Sequence, residues 1–354
     1  MPKIIGDVEL YMGPHQTGAP DDLEAAIVSF IDGAEKRLEV AVQELDSPPI
    51  AEALVRARQR KLLVKVVIEH DYLREPRARM QPKSAGGPHE INRELHAMLL
   101  RANIDVKTDY NTSIFHQKFI VRDRQSLLTG STNFTQTGTE RNLNHLVIVH
   151  DAVVAKTYSR EFREIAQGHF GKRNEGHDPT PEETVVSGIP IKVLFAPDHN
   201  PEMEIMKQMA KAKERVDFAI FTFSQSSGID DQMLLLRRMG MPLRGAMDLK
   251  QGVQTWSASH TLSDAGVEIY KVAPSDTIGK LHHKLMVMDQ QVIIAGSFNY
   301  TNPANSLNDE NIIILGDLET TDESSIKQQK ELAGYAIAEI ERIIDQHGKP
   351  FRPR

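Results

Sequence analysis

No cysteine occurs in the 354 residues, which excludes disulfides, thiolate metal sites and thiol nucleophiles. Also missing is any run near the roughly 20 apolar residues a membrane-spanning helix needs. The opening MPKIIGDVELYMGP has no apolar stretch of signal-peptide character. A cytoplasmic protein with no transmembrane segment is the expectation. Positive charge is not in excess: 42 Lys and Arg stand against 49 Asp and Glu, for a net charge of −7. Such a chain has no global basic field to draw in nucleic acid, although a local groove can still be basic. With 40% hydrophobic and 26% charged residues, the rest is ordinary globular composition, enough for one large domain or two ordinary ones.

Strand and helix patterns alternate along the chain. Val8 to Met12, LEVAVQEL from Leu38 and VKVVIEH from Val64 read as strands. Between them, Asp21 or Asp22 opens one predicted helix, and Ser47 with two prolines opens another. The same order returns in IKVLFAP, PEMEIMKQMAKAKER, VDFAIFTFS, DDQMLLLRRMG and RGAMDLK. This alternation predicts an α/β fold whose two halves each hold a mixed, largely parallel sheet flanked by helices. The halves fall at 1–170 and 191–354, joined by a polar, Pro- and Gly-containing linker at 171–190. The last long amphipathic pattern, TTDESSIKQQKELAGYAIAEIERIIDQHG, predicts a helix packed on its own half.

The chain carries one stretch twice. HQKFIVRDRQSLLTGSTNFTQTGTERNLNHLVIVHD starts at His116, and HHKLMVMDQQVIIAGSFNYTNPANSLNDENIIILGD starts 166 residues later at His282, with no gap. His116 and His282, Lys118 and Lys284, Asp123 and Asp289 coincide. So do Gly130 and Gly296, Ser131 and Ser297, Asn133 and Asn299. Polar residues match while apolar ones drift, the pattern of duplicated chemistry rather than of a purely structural repeat. On a strand, His and Lys two apart share a face. Gly130 and Gly296 are expected to let backbone approach a ligand closely.

The paired H-x-K-x4-D and G-S-x-N motifs resemble the phospholipase D superfamily, and the resemblance covers both halves. It implies one domain with the motifs facing each other across a pseudo-two-fold axis, and phosphodiester chemistry. Such a site must neutralise the phosphoryl charge, attack phosphorus and protonate the leaving oxygen. Lys118 and Lys284 supply charge, while Ser131, Asn133, Ser297 and Asn299 are expected to donate to the phosphate. One histidine attacks to form a phosphohistidine, and the other acts as general acid and base. Neither a metal nor a cofactor is called for, since lysines take that role. A complete site lies in one chain, so a monomer suffices.

Glu310 lies 14 residues past Gly296, and the matching position past Gly130 is Asn144. In the two-motif family the acid of one half supports the histidine of the other. The resemblance therefore implies that Glu310 orients His116 as the nucleophile, while Asn144 faces His282, the general acid and base. A similar asymmetry occurs in tyrosyl-DNA phosphodiesterases. Glu140 is a substitute carboxylate in place of Asn144. Asp123 and Asp289 are expected to be scaffold, satisfying turn backbone at a strand end.

For substrate, GSTNFT, GSFNYT and NDEN resemble the nuclease branch, so nucleic acid is the first expectation and the activity a nuclease. The basic loop with Arg74, Arg77, Arg79, Lys83, Gly86 and Gly87 would contact a phosphate backbone, or be solvated surface. Trp256 would stack a base, or pack into the core. The alternatives are a phospholipase D or phosphatidyltransferase acting on phospholipid, and a non-catalytic phosphate-binding scaffold.

Overall fold

The structure is a computed structural model that describes residues 1–74, 87–173 and 179–352. Two nine-stranded sheets face each other. The first runs in the order Lys3–Ile5, Val8–Gly13, Asn142–Val149, Ser126–Gly130, Lys118–Arg122, Arg37–Val42, Leu63–Ile68, Asp105–Thr108. The second runs Gly348–Pro350, Glu268–Val272, Leu243–Asp248, Val216–Ile220, Lys284–Met288, Val292–Gly296, Glu310–Leu315, Ile189–Ala196, Thr184–Val186. The α/β class is as expected, but the sheets are not largely parallel. In the first sheet only Arg37–Val42 with Leu63–Ile68, and the latter with Asp105–Thr108, run parallel along the main path. The second sheet has two equivalent parallel ladders. The reason lies in the motifs. Each forms an antiparallel hairpin that continues into a third antiparallel strand, and this occupies the middle of its sheet.

Helices start where the capping residues sit. Asp22 accepts from the Ala25 N–H at the head of Leu23–Asp32, and Ser47 accepts from the Ile50 N–H at the head of Pro48–Gln59. Outer helices cover one face of each sheet, giving separate apolar cores around Ile27, Leu54 and Val66 in one half and Ile205, Phe218 and Met233 in the other. A third core lies between the sheets and joins residues of both, among them Phe119, Tyr158, Phe195, Leu285 and Ile340.

Two helices, Ala152–Ala166 and Glu323–His347, run through that central layer. The second was expected to pack on its own half, yet it binds both. Tyr335 donates to Asp21, and Arg342 donates to the Thr17 carbonyl, both residues of the first half. Its buried Leu332, Ala336 and Ile340 belong to the shared core. Within the stretch expected to link the halves, Thr184–Val186 is an edge strand and Ile189–Ala196 has begun. Among the described residues, no helix is long and apolar enough to cross a membrane.

The motif aspartates define the hairpin turns. Asp123 and Arg124 have φ of 57° and 56°, and Asp289 and Gln290 have 50° and 54°. Left-handed backbone is costly for these residues. The Asp123 carboxylate offsets it by accepting from the N–H groups of Glu35, Lys36 and Arg37 at 2.7–2.9 Å. Asp289 does the same for Lys213, Glu214 and Arg215 at 2.7–3.0 Å. Asp123→Ala should therefore lower unfolding free energy by about 2 kcal/mol, read by urea denaturation, and Asp123→Asn should recover part of it. A loss below ~0.5 kcal/mol would show that the turn does not need the carboxylate.

Candidate active site

The motif histidines sit just before their strands, in extended chain leading into Lys118–Arg122 and Lys284–Met288. Each is anchored to the opposite half. The His116 N–H donates to the Asp309 carbonyl at 3.0 Å, and the His282 N–H to the Leu143 carbonyl at 2.9 Å. Lys280–Leu281 joins the first sheet as its ninth strand, and Phe115 bridges to Asp309. Glu69 holds the Phe115 N–H at 2.8 Å, and Asp248 holds that of Leu281. Carboxylates from both halves thus fix the residues preceding the histidines.

Both histidines find their side-chain partners across the interface. His116 Nδ1 lies 2.7 Å from Glu310 Oε2, and His282 Nδ1 lies 2.9 Å from Asn144 Oδ1. Each pair is buried, with His116 only 6% and His282 4% exposed. Glu140 lies in the short helix Gln136–Glu140; Asn144 is the side chain that meets His282. Lys118 Nζ donates to the His116 carbonyl at 2.8 Å and to Gln43 Oε1 at 3.2 Å. Lys284 Nζ donates to the His282 carbonyl at 2.8 Å.

The serines do not do what their sequence position suggested. Ser131 Oγ donates to Asn144 Oδ1 at 2.7 Å and accepts from the His145 N–H at 3.0 Å. Ser297 Oγ donates to Glu310 Oε2 at 2.5 Å and accepts from the Asn311 N–H at 3.0 Å. A hydroxyl has one proton to give, and here it is given to the residue that orients a histidine, leaving none for a phosphate. Gly130 and Gly296 also differ from expectation, since their close approach is to a neighbouring strand. A Cβ there would stand 2.3 Å from the His145 or Asn311 carbonyl oxygen. Asn133 and Asn299 remain half-buried, with Oδ1 unpaired among the described residues. A half-turn of either amide presents its NH2 instead, the polarity an anion needs.

Burial sets the charge states. It pushes His116 and His282 well below the ordinary imidazole range, with the nearby lysines adding to the effect. Both rings rest neutral, so each Nε2 keeps a lone pair. Burial pushes Lys118 down to about 7 and Lys284 well below its usual value. It pushes Glu310 up to about 8, against the opposing pull of Lys118. Basic groups crowd a dehydrated space with too little negative charge to keep them protonated.

Several residues here escaped the sequence reading. Gln43 and Phe221 occupy equivalent places, their N–H groups donating to the Gln117 and His283 carbonyls. Phe221 lies 4.8 Å from the His282 ring and 4.9 Å from Lys284 Nζ. Lys280 Nζ is also 4.9 Å from Phe221. Its signal was present as alternation, since Lys280, His282 and Lys284 are two apart and share a face. Behind His282 lies a buried His145–His283 pair, 3.1 Å between Nδ1 atoms. Trp256 is 43% exposed, so it is not core. Arg74 pairs with Asp71 at 2.9 Å, Gly87 has φ of 97°, and Arg77, Arg79, Lys83 and Gly86 lie outside the described residues.

Comparison with known proteins fits this geometry. A family model described as "Cardiolipin synthase, PLD-like domain" matches residues 27–166 and 205–330, one segment in each half. A mitochondrial cardiolipin hydrolase of Xenopus laevis is 30% identical over 133 residues, covering 38% of this chain and 56% of that protein. A phospholipase D of Rickettsia felis is 29% identical over 132 residues, 37% of this chain and 58% of its own length. The matches thus span little more than half of these relatives. In overall fold, a phosphatidylserine synthase from Haemophilus influenzae covers 99% of this chain and 89% of its own, with a TM-score of 0.64 at 15% identity. A polyphosphate kinase from Porphyromonas gingivalis covers 94% of this chain, with a TM-score of 0.57 at 13% identity.

The buried lysines yield a linked prediction. Lys118 releases its proton near pH 7 when folded but near 10.5 when unfolded. The unfolded state therefore binds more protons across that window, and stability contributed by this group rises with pH through it. Lys118→Met should remove that rise in pH-dependent thermal melts and should raise Tm at pH 7 by ~2 °C or more. An unchanged slope in the variant would contradict the charge assignment.

Proposed function

Because this chain belongs to the phospholipase D-like family, its model matching both halves, we propose that it is a metal-independent phosphodiesterase working through a covalent phosphohistidine on phospholipid phosphodiester bonds. The observation that carries the chemistry is the crossed pair of contacts, His116 with Glu310 and His282 with Asn144. Each uses Nδ1, so Nε2 is the nitrogen assigned to the reaction. The His116 Nδ1–H donates to Glu310 Oε2, and this carboxyl group, drawn toward its charged form by Lys118, stabilises the cation that forms when Nε2 attacks phosphorus. An amide stabilises an imidazolium less, which suits His282 to passing a proton back and forth.

The sequence of events uses this chain's own groups. A phosphodiester anion enters between Lys118 and Lys284 and favours their charged forms. The same negative charge raises the His282 pKa, so that ring takes up a proton on binding. His116 Nε2 forms a bond to phosphorus as the ester bond breaks, and His282 gives its proton to the leaving oxygen. Water then loses a proton to His282 and displaces His116, restoring both rings. Lysines and asparagine amides carry the developing charge throughout.

The substrate preference rests on names. The family description and the two relatives are lipid-related, which favours phospholipid over the nucleic acid that GSFNYT and NDEN suggested first. The test is headgroup release from phospholipid vesicles in EDTA, run beside single- and double-stranded oligonucleotides. Wild type should release headgroup, and His116→Asn with His282→Asn should lose about 10⁴-fold or more. Oligonucleotide cleavage without lipid turnover would move the protein to the nuclease reading. Strong inhibition by the chelator would reject the metal-independent mechanism.

Phosphate binding offers a second check. Calorimetry in buffers of different ionisation enthalpy should report proton uptake near pH 7 when inorganic phosphate binds, and His282→Asn should reduce it. Proton release would contradict the charging of His282 by its ligand.

A further inference from the structure

The two halves repeat the catalytic residues but not what flanks them. Two residues before His282 stands Lys280, and two residues before His116 stands Ile114, 47% exposed. At the paired strand ends, Phe221 stands against Gln43. One edge of the site is therefore cationic and aromatic, and the matching edge is neutral. The asymmetry lies on the His282 side, where Phe221 touches the His282 ring and has the ammoniums of Lys280 and Lys284 each 4.9 Å from its centre.

Lys280 is half-buried, and among the described residues its ammonium has no hydrogen-bond or ion-pair partner. Glu44 and Asp248 act on it only from a distance. Lys118 and Lys284, by contrast, are tied to backbone carbonyls beside the histidines. Those bonds hold them against the histidines, where the proposed function places the scissile phosphoryl group. Lys280 is one strand repeat further out, roughly 6–7 Å along the chain from His282, and Phe221 stands close to both ammoniums. Lacking a partner and half dehydrated, it is suited to an anion next to the scissile phosphate rather than to that phosphate itself.

We infer that Lys280 and Phe221 form a subsite for a second anionic group, carried on the alcohol that leaves from the His282 side of the phosphodiester. This rests on the phosphodiesterase reading above and adds to it that the leaving headgroup is itself negatively charged, as a second phosphate would make it. Phe221 contributes a wall that keeps the two anions apart and the His282 ring in place. Glu44, half-buried next to Gln43 and acting on Lys118 and Lys280 through space, is the carboxylate within electrostatic reach of Lys280 on the facing strand end. Its counterpart on the other strand is Thr222, beside Phe221. A cationic headgroup would be bound through Glu44 instead, so the two possibilities separate by variant.

The test is binding of two probes by calorimetry, inorganic phosphate and propane-1,3-diyl bisphosphate. Wild type should bind the bisphosphate about tenfold or more tighter than phosphate, as one added charge-assisted contact allows. Lys280→Met should remove most of that preference, lowering bisphosphate affinity about tenfold while phosphate affinity changes less than about threefold. Lys280→Arg should keep it, and Glu44→Gln should not weaken it. Equal loss for both probes in Lys280→Met would overturn the subsite, because Lys280 would then belong to the general field. Phosphate binding with no bisphosphate preference in wild type would overturn the subsite alone. Failure of both probes to bind would overturn the phosphodiester reading with it.

Discussion

Everything in this protein depends on two histidines whose partners lie in the other half of the chain. His116 reaches Glu310 and His282 reaches Asn144, and their backbone N–H groups are held by the Asp309 and Leu143 carbonyls. Neither half can orient its own histidine. The shared core between the sheets, with Ala152–Ala166 and Glu323–His347 inside it, therefore sets the geometry of the chemistry as well as the stability of the fold. A long helix that fastens to Asp21 and Thr17 at one side and to its own sheet at the other resists sliding of the halves.

Burial then turns geometry into reactivity. Water is kept from the lysines and histidines, so their neutral forms are favoured. On the function proposed here, an anion relieves this and changes the protonation of the groups around it. In that proposal binding and activation are one event. The two edges of the site differ although the two motifs do not. Lys280 and Phe221 on one side against Ile114 and Gln43 on the other give a pseudo-symmetric scaffold a direction.

Much of this was legible in the sequence, and the failures have physical causes. His116, Lys118, His282 and Lys284 could be found because a repeat that preserves polar residues while apolar ones drift marks chemistry. The contact of Glu310 with His116 followed from the resemblance together with its place 14 residues past Gly296. Ser131 and Ser297 were misjudged because sequence supplies a hydroxyl but not its direction, and theirs turn toward the adjoining strand. Gly130 and Gly296 were misjudged for the same reason. Lys280 was missed because it breaks the repeat, although its spacing from His282 placed it on the same face. The sharing of the last helix between halves was not legible, since periodicity reports which face is apolar and not what covers it. The antiparallel bias of the sheets followed from the motif hairpins, which the alternation of strand and helix patterns concealed.

The most direct test of the central claim is to trap the covalent intermediate. His282→Asn protein would be incubated with a phosphodiester substrate labelled in the portion that stays on phosphorus, quenched in alkali and mapped by peptide. An acid-labile, base-stable label on the peptide containing His116, absent from Glu310→Gln or formed far more slowly there, is the predicted result. Label that forms instead in His116→Asn protein, on the peptide containing His282, would reverse the roles of the two histidines and contradict the assignment of Glu310.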